Sequence, residues 1–182
     1  MFCWSLETLD QLNIPVYVYT NEETELRSKI DFETKNVIFM KRPKYLDDHS
    51  TKGINIYKEF SKQVKSEIYL LTHCTSPFVK RDTYERCLDA VRSGGYSSSL
   101  TVKKEQTFVW YQGSRLNFSL PRPKTQEITP VLVETSAAYC YRANVLNSGS
   151  RSCDQPSLIL TNGLETIDID EMNDLELIRR LK

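Results

Sequence analysis

The sequence predicts an α/β protein in which helices cover both faces of a mainly parallel sheet. Helical and extended patterns alternate from the start of the chain to about residue 104. The extended runs PVYVYT, NVIFMK and EIYLLT are apolar along most of their length, which is typical of strands that are buried on both faces. Such strands form parallel sheets when they alternate with helices, because each helix returns the chain to the end of the sheet at which the previous strand began.

The first half of this alternation consists of two helices and two strands. Apolar residues at helical spacing predict the first helix, which the segment NIP ends: Phe2, Leu6, Leu9 and Leu12. PVYVYT follows as a strand, and NEETELRSKI follows as a short helix with Asn21 as its N-cap. NVIFMKRP predicts the second strand, which Pro43 stops.

The second half repeats the pattern with longer helices. In DDHSTKGINIYKEFSKQV, Ile54, Tyr57 and Phe60 share one helical face, and Ser50 or Thr51 is expected to cap the helix. EIYLLTHC is the most strand-like run of the chain. The helix over residues 81–93 stops at a pair of glycines and turns three side chains inward: Tyr84, Leu88 and Val91. SSSLTVKK is the last strand of the alternation.

The pattern changes after Lys104. FVWYQGSRLNFSL predicts a hairpin that turns at Gly113, and PRPKTQEITP is too polar and too rich in proline for a core. VETSAAYCYRA then returns as a strand. We therefore expect a single domain over residues 1–182, with an extended arm over about 106–130.

Composition excludes several classes of protein. The chain has 24 lysine and arginine residues against 24 acidic residues, so no overall field favours nucleic acid or an acidic membrane. No run is long and apolar enough to cross a bilayer, and MFCWSLETLDQL lacks the basic start of a signal peptide. The 5 cysteines form no CxxC pair and the 2 histidines lie far apart, which predicts reduced thiols, no zinc site and a cytoplasmic location.

The segment ETIDIDEMNDLELI places Asp168 and Asp170 one residue apart. In an extended segment these two carboxylates project to the same side, while Ile167 and Ile169 turn to the other side and into a core. Two neighbouring carboxylates repel each other unless a cation lies between them, so the spacing points to Mg²⁺. The alternative is that Asp170 merely caps the helix that follows.

Polar side chains also follow the most strand-like run. LLTHCTSPFVKR places His73, Thr75 and Ser76 just past the carboxyl end of a predicted strand, where open α/β sheets bind their ligands. The alternative is a plain strand-to-helix turn that Thr75 or Ser76 caps and that Pro77 continues.

Two basic segments are candidates for anion binding. PRPKTQE presents Arg122 and Lys124 on an extended segment that could meet a carboxylate or a phosphate, although a solvated loop or a dimer arm explains it equally well. STKGIN lacks the glycine pattern of a phosphate loop, and helix capping explains it more simply.

Four segments stand in an order that resembles the cytidylyltransferase family that makes CMP-activated acidic sugars, such as CMP-sialic acid and CMP-ketodeoxyoctonate synthetases. The segments are FMKRPKYLDD, LLTHCTSPFVKR, PRPKTQEITPVLVETSAAYCYR and ETIDIDEMNDLELI. Each motif is weak by itself, but the ordered set covers nearly the whole chain. The resemblance implies a Rossmann-like nucleotidyltransferase sheet and transfer of CMP from CTP to an acidic, nonulosonic-type sugar, with release of pyrophosphate, for surface polysaccharide or glycoconjugate synthesis.

The resemblance also implies roles for individual residues. Asp168 and Asp170 match the family's terminal D-x-D, whose carboxylates bind the catalytic Mg²⁺ (or Mn²⁺) beside the triphosphate. Substrate-binding positions are implied along the whole chain: Arg42, His73, Thr75, Ser76, Pro77, Glu134, Thr135 and Ser136. Arg122 or Lys124 is implied as the group that grips the sugar carboxylate.

One part of the family pattern has no match. The family begins with a strand and a basic loop that grips the CTP phosphates, whereas MFCWSLETLDQL resembles the helix that follows that loop. We therefore expect weak CTP binding and weak or no activity from this chain alone. The alternatives are a non-catalytic α/β binding or assembly module, or a coding sequence that begins upstream. The arm is expected to reach onto a second copy in a homodimer.

Overall fold

The computed structural model describes the backbone of residues 1–180 and the side chains of residues 1–176. Its α-helices are α1 Phe2–Asp10, α2 Glu23–Ser28, α3 Gly53–Gln63, α4 Arg81–Arg92 and α5 Met172–Arg180. Its strands are β1 Val16–Thr20, β2 Val37–Lys41, β3 Ile68–Thr72, β4 Ser98–Glu105, β5 Trp110–Tyr111, β6 Ser114–Arg115, β7 Val131–Arg142 and β8 Ser157–Leu160. The predicted α/β class and the alternation as far as β4 are confirmed, whereas the sequence reading missed β8.

The larger strands form two separate sheets within the described residues. β1 and β2 pair in parallel, and a second sheet has the order β3-β7-β4-β8. β4 and β8 are parallel, and β7 runs antiparallel to both β3 and β4. The strands of the second sheet therefore run the same way except for β7, which returns from the arm without a crossover helix.

Helices pack on both faces of the second sheet, and the side chains of β7 alternate between these two faces. Ala138 and Cys140 point to the face that α4 covers with Tyr84, Cys87, Leu88 and Val91. Tyr139 and Tyr141 point to the opposite face, where Ile54 and Tyr57 of α3 pack. Small residues on one face let α4 approach the sheet closely, and large rings fill the other face.

The two helix caps expected from the sequence are not used. Glu22 and Lys52 occupy the N-cap positions of α2 and α3. The side chain of Asn21 instead donates a hydrogen bond to Asp47, and Ser50 bonds to Asp48. Both side chains thus donate to a nearby carboxylate, and neither accepts the helix amides that a capping oxygen would bind.

The start of α4 is capped by a residue that is distant in sequence. Glu165 is buried and lies in a short 3₁₀ turn after β8. Its carboxylate accepts the Lys80 amide at 3.0 Å and the Thr83 hydroxyl at 2.6 Å. This carboxylate therefore meets groups at the beginning of a helix, where negative charge is favourable, and joins α4 to the end of the sheet.

The arm is held by its own side chains. β5 and β6 form the predicted hairpin, which turns at Gly113 with φ +78. Phe118 packs 4.8 Å from Phe108 and 5.4 Å from Trp110. Asn117 accepts the Val109 amide and donates to main-chain oxygens at both ends of the arm, so that the excursion is closed at its base. Among residues 1–180, no helix has the length and apolarity needed to span a membrane.

Candidate functional site

The candidate site begins at an interruption of β7. Leu100 pairs with Tyr139, but Val102 pairs with Glu134, so residues 135–138 of β7 lie opposite Thr101 alone. The buried Thr101 hydroxyl holds this bulge together, because it accepts the Thr135 hydroxyl at 2.8 Å and the Ala138 amide at 3.1 Å. Bulges of this kind re-aim side chains and occur often beside functional sites.

The bulge brings polar side chains together on the α3 face of the sheet. The Tyr139 hydroxyl donates a hydrogen bond to Glu134, and it lies 3.1 Å from the Ser136 hydroxyl. Ser136 has a φ of +56, a left-handed conformation that non-glycine residues rarely adopt. Arg151 donates to the Tyr139 hydroxyl at 2.7 Å and lies 3.8 Å from a Glu134 carboxylate oxygen. We call these four residues together with His73 the Tyr139 cluster.

Burial makes the central tyrosine harder to ionise. Desolvation, followed by the hydrogen bond to Glu134, raises the pKa of Tyr139 to about 12. The phenol, which is neutral near pH 7 even at its ordinary pKa, thus stays a hydrogen-bond donor to the carboxylate in alkaline solution as well. Arg151 also places its guanidinium 3.8 Å from the centre of the Tyr139 ring, which fixes the tyrosine from its face.

His73 lies at the edge of this cluster, just past β3. Its ring is 6.3 Å from the Tyr139 ring, and its Nε2 is buried without a hydrogen-bond partner in the described residues. Burial, and then the charge of Arg151, lowers the pKa of His73, while Asp168 opposes this shift. The imidazole is therefore neutral near pH 7 and has an unused nitrogen that could meet a ligand hydroxyl.

Asp168 approaches the same edge of the sheet from the segment before α5. The Ile169 amide donates to the Thr75 carbonyl at 2.8 Å, which ties this segment to the loop after β3. The Ser76 hydroxyl lies 3.4 Å from the Asp168 carboxylate. Ile169 is buried as the sequence predicts, whereas Ile167 is half-buried. Asp168 is half-buried and Asp170 is exposed.

The alternative role of Asp170 as a helix cap is not seen. The Asp174 carboxylate accepts both the Asp170 and the Glu171 amides, at 3.2 and 2.9 Å. The Asp170 side chain is exposed and makes no hydrogen bond within the described part of the chain. Among the side chains of residues 1–176, none competes with another ligand for this carboxylate.

The oxygen atoms at this place suit a hard cation that is coordinated partly by the protein and partly by a substrate. Mg²⁺ is commonly held by one or two carboxylates together with waters and phosphate oxygens. Asp168 and Asp170 provide two such carboxylates, and Ser76 adds a hydroxyl oxygen close to Asp168. No group of three or more histidine, cysteine, aspartate or glutamate residues that could hold a metal occurs among the described residues. The residues therefore fit Mg²⁺ or Mn²⁺ with a phosphate-bearing ligand, and a closed protein cage is not formed there.

Three of the basic residues singled out in the sequence lie elsewhere. Arg42 pairs with Asp47 and lines a separate cleft with Asn21 and His49. The Arg122 guanidinium stacks 4.1 Å above the Phe108 ring in the arm. The Lys124 amide donates to the Glu127 carboxylate, also in the arm, at 3.1 Å. Within the described residues, Arg42, Arg122 and Lys124 make no contact with the Tyr139 cluster.

The remaining predicted site residues lie at or beside the bulge and the loop after β3. Pro77 and Thr135 are buried and support the main chain at these two places. Tyr139 and Arg151 are the cluster residues that sequence reasoning missed, because Tyr139 lies in an ordinary strand run, AAYCY, and a single arginine in the polar loop NSGSRSCD carries no pattern of its own. The role of Arg151 becomes visible only once the fold places it against Tyr139.

No protein-family model and no curated protein matches the chain. Solved structures do match it over almost its whole length. The 4-diphosphocytidyl-2C-methyl-D-erythritol synthase from Anaerococcus prevotii superimposes with a TM-score of 0.68 at 12% identity, covering 99% of this chain and 84% of that one. A CMP:2-keto-3-deoxy-manno-octonic acid synthetase complexed with CTP gives a TM-score of 0.60 at 17% identity, covering 96% and 85%.

A third similar structure is the bifunctional IspDF from Campylobacter jejuni, with a TM-score of 0.60 at 10% identity, covering 96% of this chain and 45% of that one. Identities this low show the fold. The chain therefore has the α/β fold of cytidylyltransferases, and the resemblance noted in the sequence is confirmed at the level of the fold.

The lowered pKa of His73 makes the unfolding free energy of the protein depend on pH. The unfolded chain takes up a proton on His73 at a higher pH than the folded chain, so stability should fall as pH decreases through about 6.5, the ordinary value for histidine. We expect His73→Gln to lose less unfolding free energy between pH 7.5 and 5.5 than the wild type, as measured by urea denaturation. His49→Gln, at an exposed position, is the matched control. An identical pH dependence in His73→Gln and the wild type would show that His73 is not held neutral by the fold.

Proposed function

We propose that this protein is a cytidylyltransferase that uses CTP and transfers CMP to a hydroxyl group of an acidic sugar, with release of pyrophosphate. The single observation that carries the proposal is the placement of Asp168 and His73 at the carboxyl edge of a sheet that shares its fold with nucleotide-using synthetases. The product would serve surface polysaccharide or glycoconjugate synthesis, as the sequence resemblance implies.

The phosphate end of the proposed site is Asp168, Asp170 and Ser76. A bound Mg²⁺ or Mn²⁺ would supply neutralisation of the phosphate charge, which is the main requirement of phosphoryl and nucleotidyl transfer. In this chain the carboxylates of Asp168 and Asp170 would hold the cation, and the Ser76 hydroxyl orients Asp168. Attack by the sugar hydroxyl on the α-phosphate needs little else from the protein than correct positioning.

The sugar end of the proposed site is the Tyr139 cluster. Arg151 keeps unused N–H donors beside Glu134, since its contact with that carboxylate is long at 3.8 Å, and a guanidinium binds carboxylates in a bidentate manner. The unpaired Nε2 of His73 and the oxygens of Glu134 and Ser136 suit sugar hydroxyls. Arg151 is thus a stronger candidate for the sugar carboxylate than Arg122 or Lys124, and an acidic sugar fits the cluster better than a neutral one.

The test is a calorimetric titration of CTP with Mg²⁺ into the wild-type chain and into Asp168→Ala. We expect weak binding that requires Mg²⁺, since the sequence has no match to the basic loop that grips the CTP phosphates. We expect the substitution to weaken it at least about tenfold further, because a carboxylate ligand of the cation is lost. Asp89→Ala removes an exposed aspartate on α4 and should bind as the wild type does.

Two results would contradict the proposal. Equal CTP affinity in Asp168→Ala and the wild type would remove the metal role of this carboxylate. The absence of binding by a folded wild-type chain would favour a non-catalytic binding or assembly module. One observation supports that second candidate. Within the described residues, β1 pairs only with β2 and β3 pairs only with β7, so each of these two strands has one edge open to another polypeptide.

The arm supports a further proposal, that the protein forms a homodimer through residues 106–130. Trp110, Tyr111, Leu116 and Leu120 all expose more than half of their surface on this arm, and an apolar patch of this kind is typical of an interface.

Leu116→Asp should shift the protein from dimer to monomer in sedimentation velocity at micromolar concentration, because it places a charge on the apolar arm. Leu164→Asp makes the same change at a comparably exposed leucine outside the arm and should stay dimeric. A monomeric wild type at this concentration would refute the dimer.

A further inference from the structure

The inner edges of the two sheets are both unpaired. Within residues 1–180, β1 forms a ladder only with β2, and β3 forms a ladder only with β7. All five residues of each of these strands are half-buried, although apolar strands inside an α/β sheet are normally buried on both faces. Within the described residues, β1 and β3 therefore each lack a neighbouring element on one side.

The two open edges lie next to each other, because the same helices cover both. On one face, the Phe60 ring of α3 lies 5.4 Å from the rings of Tyr17 and Tyr19 in β1 and 6.2 Å from that of Tyr69 in β3. On the other face, a single apolar cluster that includes Leu9 of α1 packs against both Val16 of β1 and Leu70 of β3. The edges thus border one gap that is roofed on both faces.

The hydrogen bonds show which main-chain groups of β1 face this gap. The Val16 amide donates to Asn36, and the Thr20 carbonyl accepts from Arg42, so the even-numbered residues of β1 address β2. In a parallel ladder the alternate residues point the other way, which turns the amides and carbonyls of Tyr17 and Tyr19 into the gap.

The main-chain groups of β3 divide between β7 and the gap in the same way. The His73 amide donates to Ala137 and the Glu67 carbonyl accepts from Ala143, so the odd-numbered residues address β7. The amides and carbonyls of Ile68, Leu70 and Thr72 consequently face the gap. The Ser66 hydroxyl meets those of Ile68, whereas Leu70 and Thr72 have no main-chain partner in the described chain.

We propose that this gap binds one extended, apolar polypeptide segment from outside residues 1–180, which pairs with β1 and β3 at once and joins the two sheets into one. A strand is the element that presents donors and acceptors on both sides at the ladder spacing of about 4.8 Å. Its side chains would alternate between the Phe60 face and the Leu9 face, so both sets need to be apolar. The proposal does not depend on the proposed enzymatic function.

The other occupants of such a gap fit less well. The outer edges of a second copy are β2 and β8, and each is already paired on its other side. A strand within a sheet can extend one open edge, but it cannot enter a gap between two edges without leaving its own partner. A helix is about twice as wide as a strand and has no free main-chain groups along its length.

The test is amide hydrogen exchange, followed by NMR, on the full chain with and without a synthetic peptide, KKVIVIVKK. In the free protein, the amides of Tyr17, Tyr19, Leu70 and Thr72 should exchange much faster than those of Val18 and Leu71, which address neighbouring strands. Saturating peptide should slow exchange of the first four by about tenfold or more. The matched peptide KKVIPIVKK lacks a central N–H and should give no protection.

The same strand fused ahead of Met1 through a flexible linker is the second arm, since attachment raises its effective concentration. Protection by the fused strand but not by the free peptide still supports the proposal and indicates an attached occupant. The proposal is overturned if the four amides are already protected in the free chain. It is equally overturned if neither form of the strand slows their exchange, or if the proline peptide acts as well as its parent.

Discussion

The hydroxyl group of Thr101 is the interaction on which the candidate site depends. A single buried oxygen at the centre of β4 joins two groups of β7 that would otherwise have no partner there, the Thr135 hydroxyl and the Ala138 amide. It thereby stabilises a bulge in a strand that is buried in the middle of the sheet. Without that bulge, regular alternation would continue from β4 across β7, and Glu134, Ser136 and Tyr139 could not meet at one point.

The cluster that results is electrostatically balanced. Arg151 faces Glu134 across a neutral Tyr139, and the positive charge of Arg151 and the negative charge of Asp168 act on His73 in opposite directions. Since Arg151 and Glu134 are both partly exposed, their mutual attraction contributes little to stability. Arg151 and Glu134 can therefore give up their contact with each other and bind a ligand instead. A ligand that carries both a carboxylate and hydroxyl groups, such as an acidic sugar, suits these two side chains.

Local patterns predicted most of the fold. The spacing of Tyr84, Leu88 and Val91 placed α4 correctly, because an amphipathic helix depends on residues a few positions apart. Strand β8 was missed, since its short run SLIL gains its identity from pairing with β4 and not from its own composition. The cap of α4 by Glu165 could not be predicted either, as it joins residues more than eighty positions apart.

The site divides in the same way. The alternation around Ile169 predicted its burial, and Ile169 is buried, whereas the common direction of the Asp168 and Asp170 carboxylates stays a prediction. The approach of Arg151 to Tyr139, and the three-residue slip that forms the bulge, arise from tertiary pairing that no local pattern contains. The split between β1 and β3 is likewise a property of the assembled sheet, because each strand has an ordinary apolar sequence.

We propose that nucleotide and sugar chemistry take place between Asp168 and the Tyr139 cluster. The most direct measurement is an amide NMR spectrum of the ¹⁵N-labelled chain during addition of CTP with Mg²⁺. We predict that the largest shifts fall on the amides of His73, Ser136 and Ile169, which border the site. Shifts centred instead on the cleft beside Arg42 and His49 would contradict the claim and place the nucleotide elsewhere on the molecule.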